Sequence, residues 1–281
     1  LLGNSIKEGQ NIHYTGKDKK QDDVIVKKGE TIDAIIVSIA ASIGAEKLTV
    51  KQLPKVAIIS TGNELIAITS NPNNYQIRQS NSYLLKAALE EYKIMADFFH
   101  VRDEKQLIRN QLKESLDKYN IIIISGAVSK GKFDYMPELL NEAGIETLFH
   151  GVQQRPGKPF WFGKNKTGNF VFAFPGNPVS TFLCFHRYFI PWLKHSLGTS
   201  ESIIYAQLND TISFNLPLQY FLQVQLYTDN SGILYANPVE GNGSGDFLNL
   251  NEANGFMELP LEQNTFNKGS AYRVWPFKKL L

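Results

Sequence analysis

One cysteine, Cys184, is present in 281 residues. No internal disulfide can form, which fits a reducing compartment, the cytoplasm. No apolar run approaches the roughly 18 to 20 residues that a membrane-spanning helix needs, so no membrane association is expected. An excess of either charge is also lacking. Lys plus Arg number 29 against 27 Asp plus Glu, too even a balance to argue for nucleic acid, although a local basic patch could still hold phosphate. The sequence carries no internal repeat and no low-complexity tract. No Gly-x-Gly-x-x-Gly stands between a strand and a helix, which argues against a dinucleotide oxidoreductase. Residues 1–10 lack the basic and apolar regions of a signal peptide, and the sequence opens on Leu1. We therefore expect a piece of a longer polypeptide.

What is present is globular material: 43% hydrophobic and 20% charged residues can bury a substantial core, with more than one domain. Residues 1–52 are short and mixed, with a polar loop over 16–23, Val24 to Val26, and helical spacing from Thr31 to Ile43. Over 53–198 strands and helices alternate. Strands are predicted at 56–59, 96–101, 121–124, 146–149 and 170–173. Leu85, Ala88, Leu89 and Tyr92 share one helix face. Ile108, Leu112, Ser115 and Leu116 share another, on a helix that Asp103 and Gln106 should cap. The last helix, 179–197, carries an aromatic stripe of Phe182, Phe185, Phe189 and Trp192, and Pro191 should kink it. This is an α/β pattern, a three-layer domain with a mostly parallel sheet. From 199 to 281 short strand-like runs divided by Asn, Gly and Pro predict a small β-barrel-like or sandwich domain.

Three strands run directly into polar, glycine-containing turns: Ser60-Thr-Gly-Asn-Glu-Leu65, Ser125-Gly-Ala-Val-Ser-Lys-Gly-Lys-Phe-Asp134 and Phe174-Pro-Gly-Asn-Pro-Val-Ser180. In an open α/β sheet the carboxyl ends of parallel strands line one crevice, so these turns should converge on one ligand. The third is the most telling. Pro175 and Pro178 fix φ, Gly176 admits conformations closed to other residues, and Asn177 and Ser180 offer hydrogen-bonding groups where a helix begins. Such a turn suits an anion.

Together with Arg155-Pro-Gly-Lys-Pro159, Gly241-Asn-Gly-Ser-Gly245 and Ala253-Asn-Gly255, these motifs resemble the molybdopterin molybdenumtransferase family, the MoeA-like proteins that include the E domain of gephyrin. The likeness spans about 240 residues in motif order, and Gly16-Lys-Asp18 matches a family Gly-Glu-Asp near the end of an N-terminal region that is mostly missing here. The resemblance implies a MoeA/MogA-like α/β domain and a late step of molybdenum cofactor synthesis. Adenylylated molybdopterin would bind, molybdate would be inserted at its dithiolene sulfurs, and AMP would leave with Mg²⁺ present. It also implies a homodimer and a MogA-like adenylylating partner.

Carried onto this sequence, the resemblance gives catalytic roles to Asp134, Lys158 and Glu64, and substrate contacts to Ser60, Thr61, Gly62, Asn63, Ser125, Gly126, Ser129, Arg155, Pro156, Pro159, Gly176, Asn177, Ser180 and Asp18. Asp134 would ligate the metal. The chemistry is consistent: a diphosphate wants backbone N–H groups and cations, and molybdate, a tetrahedral dianion, suits Arg155, Lys158 and the Ser180 hydroxyl. Mg²⁺ takes hard oxygen from one or two carboxylates plus phosphate and water.

The sequence departs from the family at three places. Lys132 stands where an Asp is usual, Asn63 replaces another Asp, and Ala127 replaces a glycine. The two lost carboxylates motivate a rival reading, a homologue that binds or scaffolds molybdopterin without chemistry. A third reading is a P-loop enzyme, since Gly126 to Lys132 has the right spacing. Phe133 then stands where Ser or Thr should ligate Mg²⁺. Simpler readings stand beside all of these. Gly62, Gly126 and Gly176 fit tight turns alone, His186 and Cys184 fit ordinary packing, Ser244 fits a turn, and Lys17 to Lys20 fit a solvated surface.

Overall fold

The computed structural model describes residues 7–126, 128, 135–199, 202–239, 241, 243 and 245–279. Contacts divide the chain into two compact units: Leu1–Lys51 with His195–Ser200, and Gln52–Lys194 with Glu201–Leu281. The first segment of the smaller unit forms the helix α1 (Ala34–Ser42). Asp33 caps it, accepting the Ile36 N–H at 2.8 Å and so satisfying one of the donors a helix start leaves open. Val24 to Val26 form no strand. Lys51 Nζ donates to the Ser196 carbonyl at 3.2 Å, tying the two segments of this unit together.

The larger unit begins with a six-stranded sheet made of β1 (Val56–Thr61), β2 (Ala96–Val101), β3 (Ile121–Ser125), β4 (Glu146–His150), β5 (Trp161–Lys164) and β6 (Phe170–Phe174), in the order β2-β1-β3-β6-β5-β4. The first four in that order are parallel. Central strands β1 and β3 are buried at every residue, as continuous apolar runs covered on both faces require. Helices α2 (Asn81–Glu90), α3 (Lys105–Lys118) and α4 (Met136–Glu142) complete the layers. One core cluster joins Ile108 and Leu112 of α3, Leu139 and Leu140 of α4, and Ile122 and Ile124 of β3.

Sequence and structure differ here at identifiable points. Strands β4 and β5 are antiparallel to their neighbours, and β5 is not among the strands expected from the sequence. Its Trp161 is fully buried, and the aromatic run Phe160 to Phe162 fits a buried strand as well as a loop. Tyr92 lies beyond the end of α2, in a turn. The predicted cap at Asp103 is also wrong. The N-cap of α3 is Glu104, with no side-chain cap bond. Asp103 instead receives the hydroxyl of Thr61 and the backbone N–H of Asn63.

The last helix is not one kinked rod. It divides into α5 (Pro178–Cys184), a π-helical turn (Phe185–Phe189) and α6 (Ile190–Leu197), with the Ile190 N–H bonded to the Phe185 carbonyl. Proline at 191 has no N–H to continue the ladder, and the wide turn just before it absorbs the defect.

Strands β7 (Ile204–Leu208), β8 (Gln219–Thr228), β9 (Leu234–Pro238), β10 (Gly255–Leu259) and β11 (Ala271–Pro276) close into a five-stranded barrel in the order β9-β7-β11-β10-β8, with β8 pairing back to β9. Leu208, Val224, Met257 and Phe266 fill it. Val179 and Leu183 of α5 pack on Phe221, Phe256 and Trp275, which fixes the barrel against the sheet domain. The two-residue strand Gln154–Arg155 also joins the barrel, pairing in parallel with Gln219 and Tyr220. Among the described residues no helix is long and apolar enough to cross a membrane.

His186 and Cys184 pack in this seam. Burial pushes the Cys184 thiol up, so it carries no reactive thiolate. His186 sits among Phe182, Phe185 and Phe277, its Nε2 without a partner among the described residues, and burial, with a smaller push from Lys194, lowers its pKa to about 3. Because the unfolded histidine titrates near 6.5, stability is intact above that pH and falls as the pH drops toward 3. The loss should reach about 2 kcal/mol by pH 5. Denaturant unfolding at pH 7.5 and pH 5 should show that loss in the wild type and only a small part of it in His186→Leu; equal losses would refute the assignment.

Candidate functional site

The carboxyl ends of β1, β3 and β6 open on a cleft of about 1070 Å³ whose opposite wall is the barrel. From the β1 turn it is lined by Ser60, Thr61 and Glu64, from the β3 turn by Ser125 and Gly126, and from the β6 turn by Gly176, Asn177 and Ser180. The turns meet closely. Gly126 donates its N–H to Phe174 O at 3.2 Å, and a Cβ on Gly126 would sit 2.7 Å from Thr61 O. Its φ of +111° adds a backbone reason for glycine there.

Arg155 and Lys158 are exposed on the loop that forms the cationic side of the cleft, with Pro156 and Pro159 beside them. Among the described residues neither cation has an ion-pair partner. Arg155 is close enough to Tyr220 to oppose the upward push that burial gives the Tyr220 hydroxyl. Two unpaired cations beside the backbone of glycine turns suit an oxyanion or a phosphate ester.

Not every expected residue lies here. Gly62 is buried behind the Glu64 carboxylate, which a Cβ at Gly62 would meet at 2.7 Å. Asn63 is not in the cleft wall; its Oδ1 accepts the Asp103 N–H at 3.2 Å. Asp103 is a neighbour that sequence reading had placed elsewhere. Burial raises its carboxyl pKa and Glu64 adds to the rise, while the N–H of Asn63, His100 and the Thr61 hydroxyl pull it back. Asp18 belongs to the smaller unit, where it pairs with His13 at 2.9 Å. Asp134 and Ser129, and with them Ala127, Gly131, Lys132, Phe133 and Ser244, lie outside the described residues. Among the described residues no three His, Cys, Asp or Glu side chains stand together as a metal site.

Two contributors were missed. The first is Asn81, whose Nδ2 donates to Ser125 Oγ at 2.9 Å, Gly176 O at 2.8 Å and Thr181 Oγ1 at 3.3 Å, joining two of the three turns at the head of α2. The carbonyl acceptor fixes which way the amide faces, and its Oδ1 has no partner among the described residues. In sequence Asn81 looks like any polar residue at a helix start. The second is the barrel wall of Tyr220, Phe221, Gln223 and Phe247, where Gln223 Oε1 is likewise unpartnered. The Gly241 to Gly245 motif reaches this wall, but nothing local marks Gln223.

Strand-end glycine turns, an unpaired cationic loop and an aromatic barrel wall define an α/β protein whose cleft has the chemistry to suit an anionic, ring-bearing ligand. Comparison with known proteins narrows the class. Residues 57–195 match the family described as a probable molybdopterin binding domain, and 205–277 match the MoeA C-terminal region (domain IV). A molybdopterin molybdenumtransferase of Synechocystis sp. is 35% identical over 266 residues, covering 94% of this chain and 66% of that relative. One of Staphylococcus aureus is 29% identical, covering 93% and 63%. The crystal structure of the molybdopterin biosynthesis moeA protein from Pyrococcus horikoshii superposes with a TM-score of 0.75 at 27% identity, covering 94% of this chain and 64% of that one. The chain belongs to the MoeA-like family, and it spans just under two thirds of the length of the curated relatives it matches.

Proposed function

We propose that the cleft binds adenylylated molybdopterin and molybdate, and that the chain serves molybdate insertion with release of AMP. The observation that supports this best is the convergence of three glycine turns and the Arg155/Lys158 loop on one cleft. The turns receive the phosphates. Arg155, Lys158 and the hydroxyl of Ser180 hold the tetrahedral dianion by charge-assisted bonds. Tyr220 and Phe247 of the cleft wall offer a pterin ring contacts. As the two molybdenum–sulfur bonds form, a molybdate oxygen leaves as water with the two dithiolene thiol protons, and one water cleaves the phosphoanhydride, so that AMP leaves and the pterin keeps its own phosphate.

Mg²⁺ usually takes one or two carboxylates and completes its shell with phosphate and water, so Glu64, exposed in the cleft wall, fits as a ligand although no three-residue cluster stands among the described residues. Asp134 would be the second. When bound, the ion would neutralise phosphate charge. A homodimer, a MogA-like adenylylating partner and a cytoplasmic location belong to the same proposal.

The test is AMP release from adenylylated molybdopterin on adding molybdate, followed by chromatography with and without Mg²⁺. Arg155→Ala and Lys158→Ala should each slow it about 100-fold, the scale seen when a group stabilising transition-state charge is removed. Binding without AMP release would point to a holding role, and no binding would refute the ligand class.

A further inference from the structure

The loop that carries Arg155 and Lys158 is clamped by Gln154, a buried residue of the cleft wall, and by Tyr188, which lies outside it. Two long cations on an exposed loop would ordinarily sample many positions. Here the backbone beneath them is tied down: Val152 N–H donates to Lys158 O at 2.9 Å, Gly151 N–H to Phe160 O at 2.8 Å, and Gln219 N–H to Gln153 O at 3.0 Å. At the centre lies Gln154, only 3% exposed. Its Nε2 donates to Pro156 O at 2.9 Å, and its Oε1 accepts the hydroxyl of Tyr188. Both ends of the amide are therefore committed. Gly157, at φ +91°, leaves no room for a side chain: a Cβ there would sit 2.7 Å from Gln154 Nε2 and 2.8 Å from Cys184 Sγ.

Tyr188 lies in the π-helical turn, and its ring stacks on Phe160 at 4.5 Å. Such a turn adds a residue relative to an α-helical one, and isolated π-turns concentrate at functional sites. We propose that Tyr188 and Gln154 form a positioning relay: the tyrosine hydroxyl orients the glutamine amide, the amide holds the Pro156 carbonyl, and the held loop sets the spacing of Arg155 and Lys158 for a tetrahedral oxyanion. Tyr188 does not line the cleft, and Gln154, which lines it, has both ends of its amide committed to Pro156 and Tyr188. The relay rests on the proposed function of the cleft.

Calorimetric titration of the 281-residue chain with inorganic molybdate, and with adenylylated molybdopterin, tests it alongside thermal melting. Tyr188→Phe keeps the ring stack and removes one hydrogen bond. It should weaken molybdate binding about tenfold with the melting midpoint held within about 4 °C. Gln154→Glu, which puts a carboxylate oxygen against Pro156 O, should weaken it further, whereas Gln154→Met should match Tyr188→Phe. A purely structural role would lower the melting midpoint and leave the affinity of the folded protein unchanged. Arg155→Ala is the reference. If it abolishes binding while Tyr188→Phe and Gln154→Glu bind like wild type, the relay is overturned and the cleft stands. If wild type binds neither ligand, or Arg155→Ala binds as well as wild type, the functional reading fails and the relay with it.

Discussion

Gly126→Ala should cost roughly 2–4 kcal/mol of stability and, in whatever protein still folds, reduce AMP release about 100-fold. Two independent effects add. The residue holds φ at +111°, which L side chains rarely adopt, and the new methyl would lie 2.7 Å from the carbonyl oxygen of Thr61. That oxygen is backbone on buried β1 and cannot rotate away. The β1 and β3 turns must separate, and a cradle displaced by about 1 Å no longer presents its N–H groups to one ligand. Gly176→Ala is the comparison: its Cβ would meet the Gly126 Cα at 3.4 Å, ordinary contact, so the effect on stability should be much smaller. Denaturant unfolding and AMP release on both variants decide the matter. Equal stability for the two would show that the close approach at Gly126 is not what requires glycine.

Asn81→Asp should be the most damaging single-atom exchange in the cleft. The side chain keeps its shape but loses the donor that serves Ser125 Oγ, Gly176 O and Thr181 Oγ1. Gly176 O, an acceptor only, would then face a carboxylate oxygen. Breaking a part-buried network in this way costs about 3–5 kcal/mol, against about 1–3 kcal/mol for Asn81→Ala, which leaves acceptors unpaired without adding repulsion. A steep recovery of stability in Asn81→Asp at pH values low enough to protonate the new carboxyl would identify charge as the cause. If Asp and Ala behave alike, the cost is the lost donor alone. AMP release should fall with both, since Asn81 sets the β6 turn against β3.

The parallel core was legible because its physics is local. Val56 to Ile59 and Ile121 to Ile124 are apolar runs that only a strand buried on both faces requires, and each is followed by a polar glycine turn. A small β domain was legible from short runs broken by Asn, Gly and Pro, and the pairing of β8 with β9 made it a barrel rather than a sandwich. What failed was also local in form: Phe160 to Phe162 fits a loop or a buried strand, and Asp103 fits a helix cap or, as it turns out, an acceptor for the β1 turn. Pro191 announces a helix defect but not its kind, because a kink and a preceding π-turn both answer a missing N–H.

The order of the motifs along the chain therefore determined the family, the two fold classes and most of the chemistry gathered at the strand ends. Side-chain type and short-range spacing are enough for that. Tertiary structure alone decided which groups share the cleft. It turned Asn63 toward Asp103, covered Gly62 with Glu64, and brought Asn81 to partners 44, 95 and 100 residues away. It also set Tyr188 against Gln154, 34 residues earlier. Such bonds depend on how layers and barrel pack, and a polar residue at a helix start or in a helix reads the same in sequence whether or not a distant partner is waiting for it.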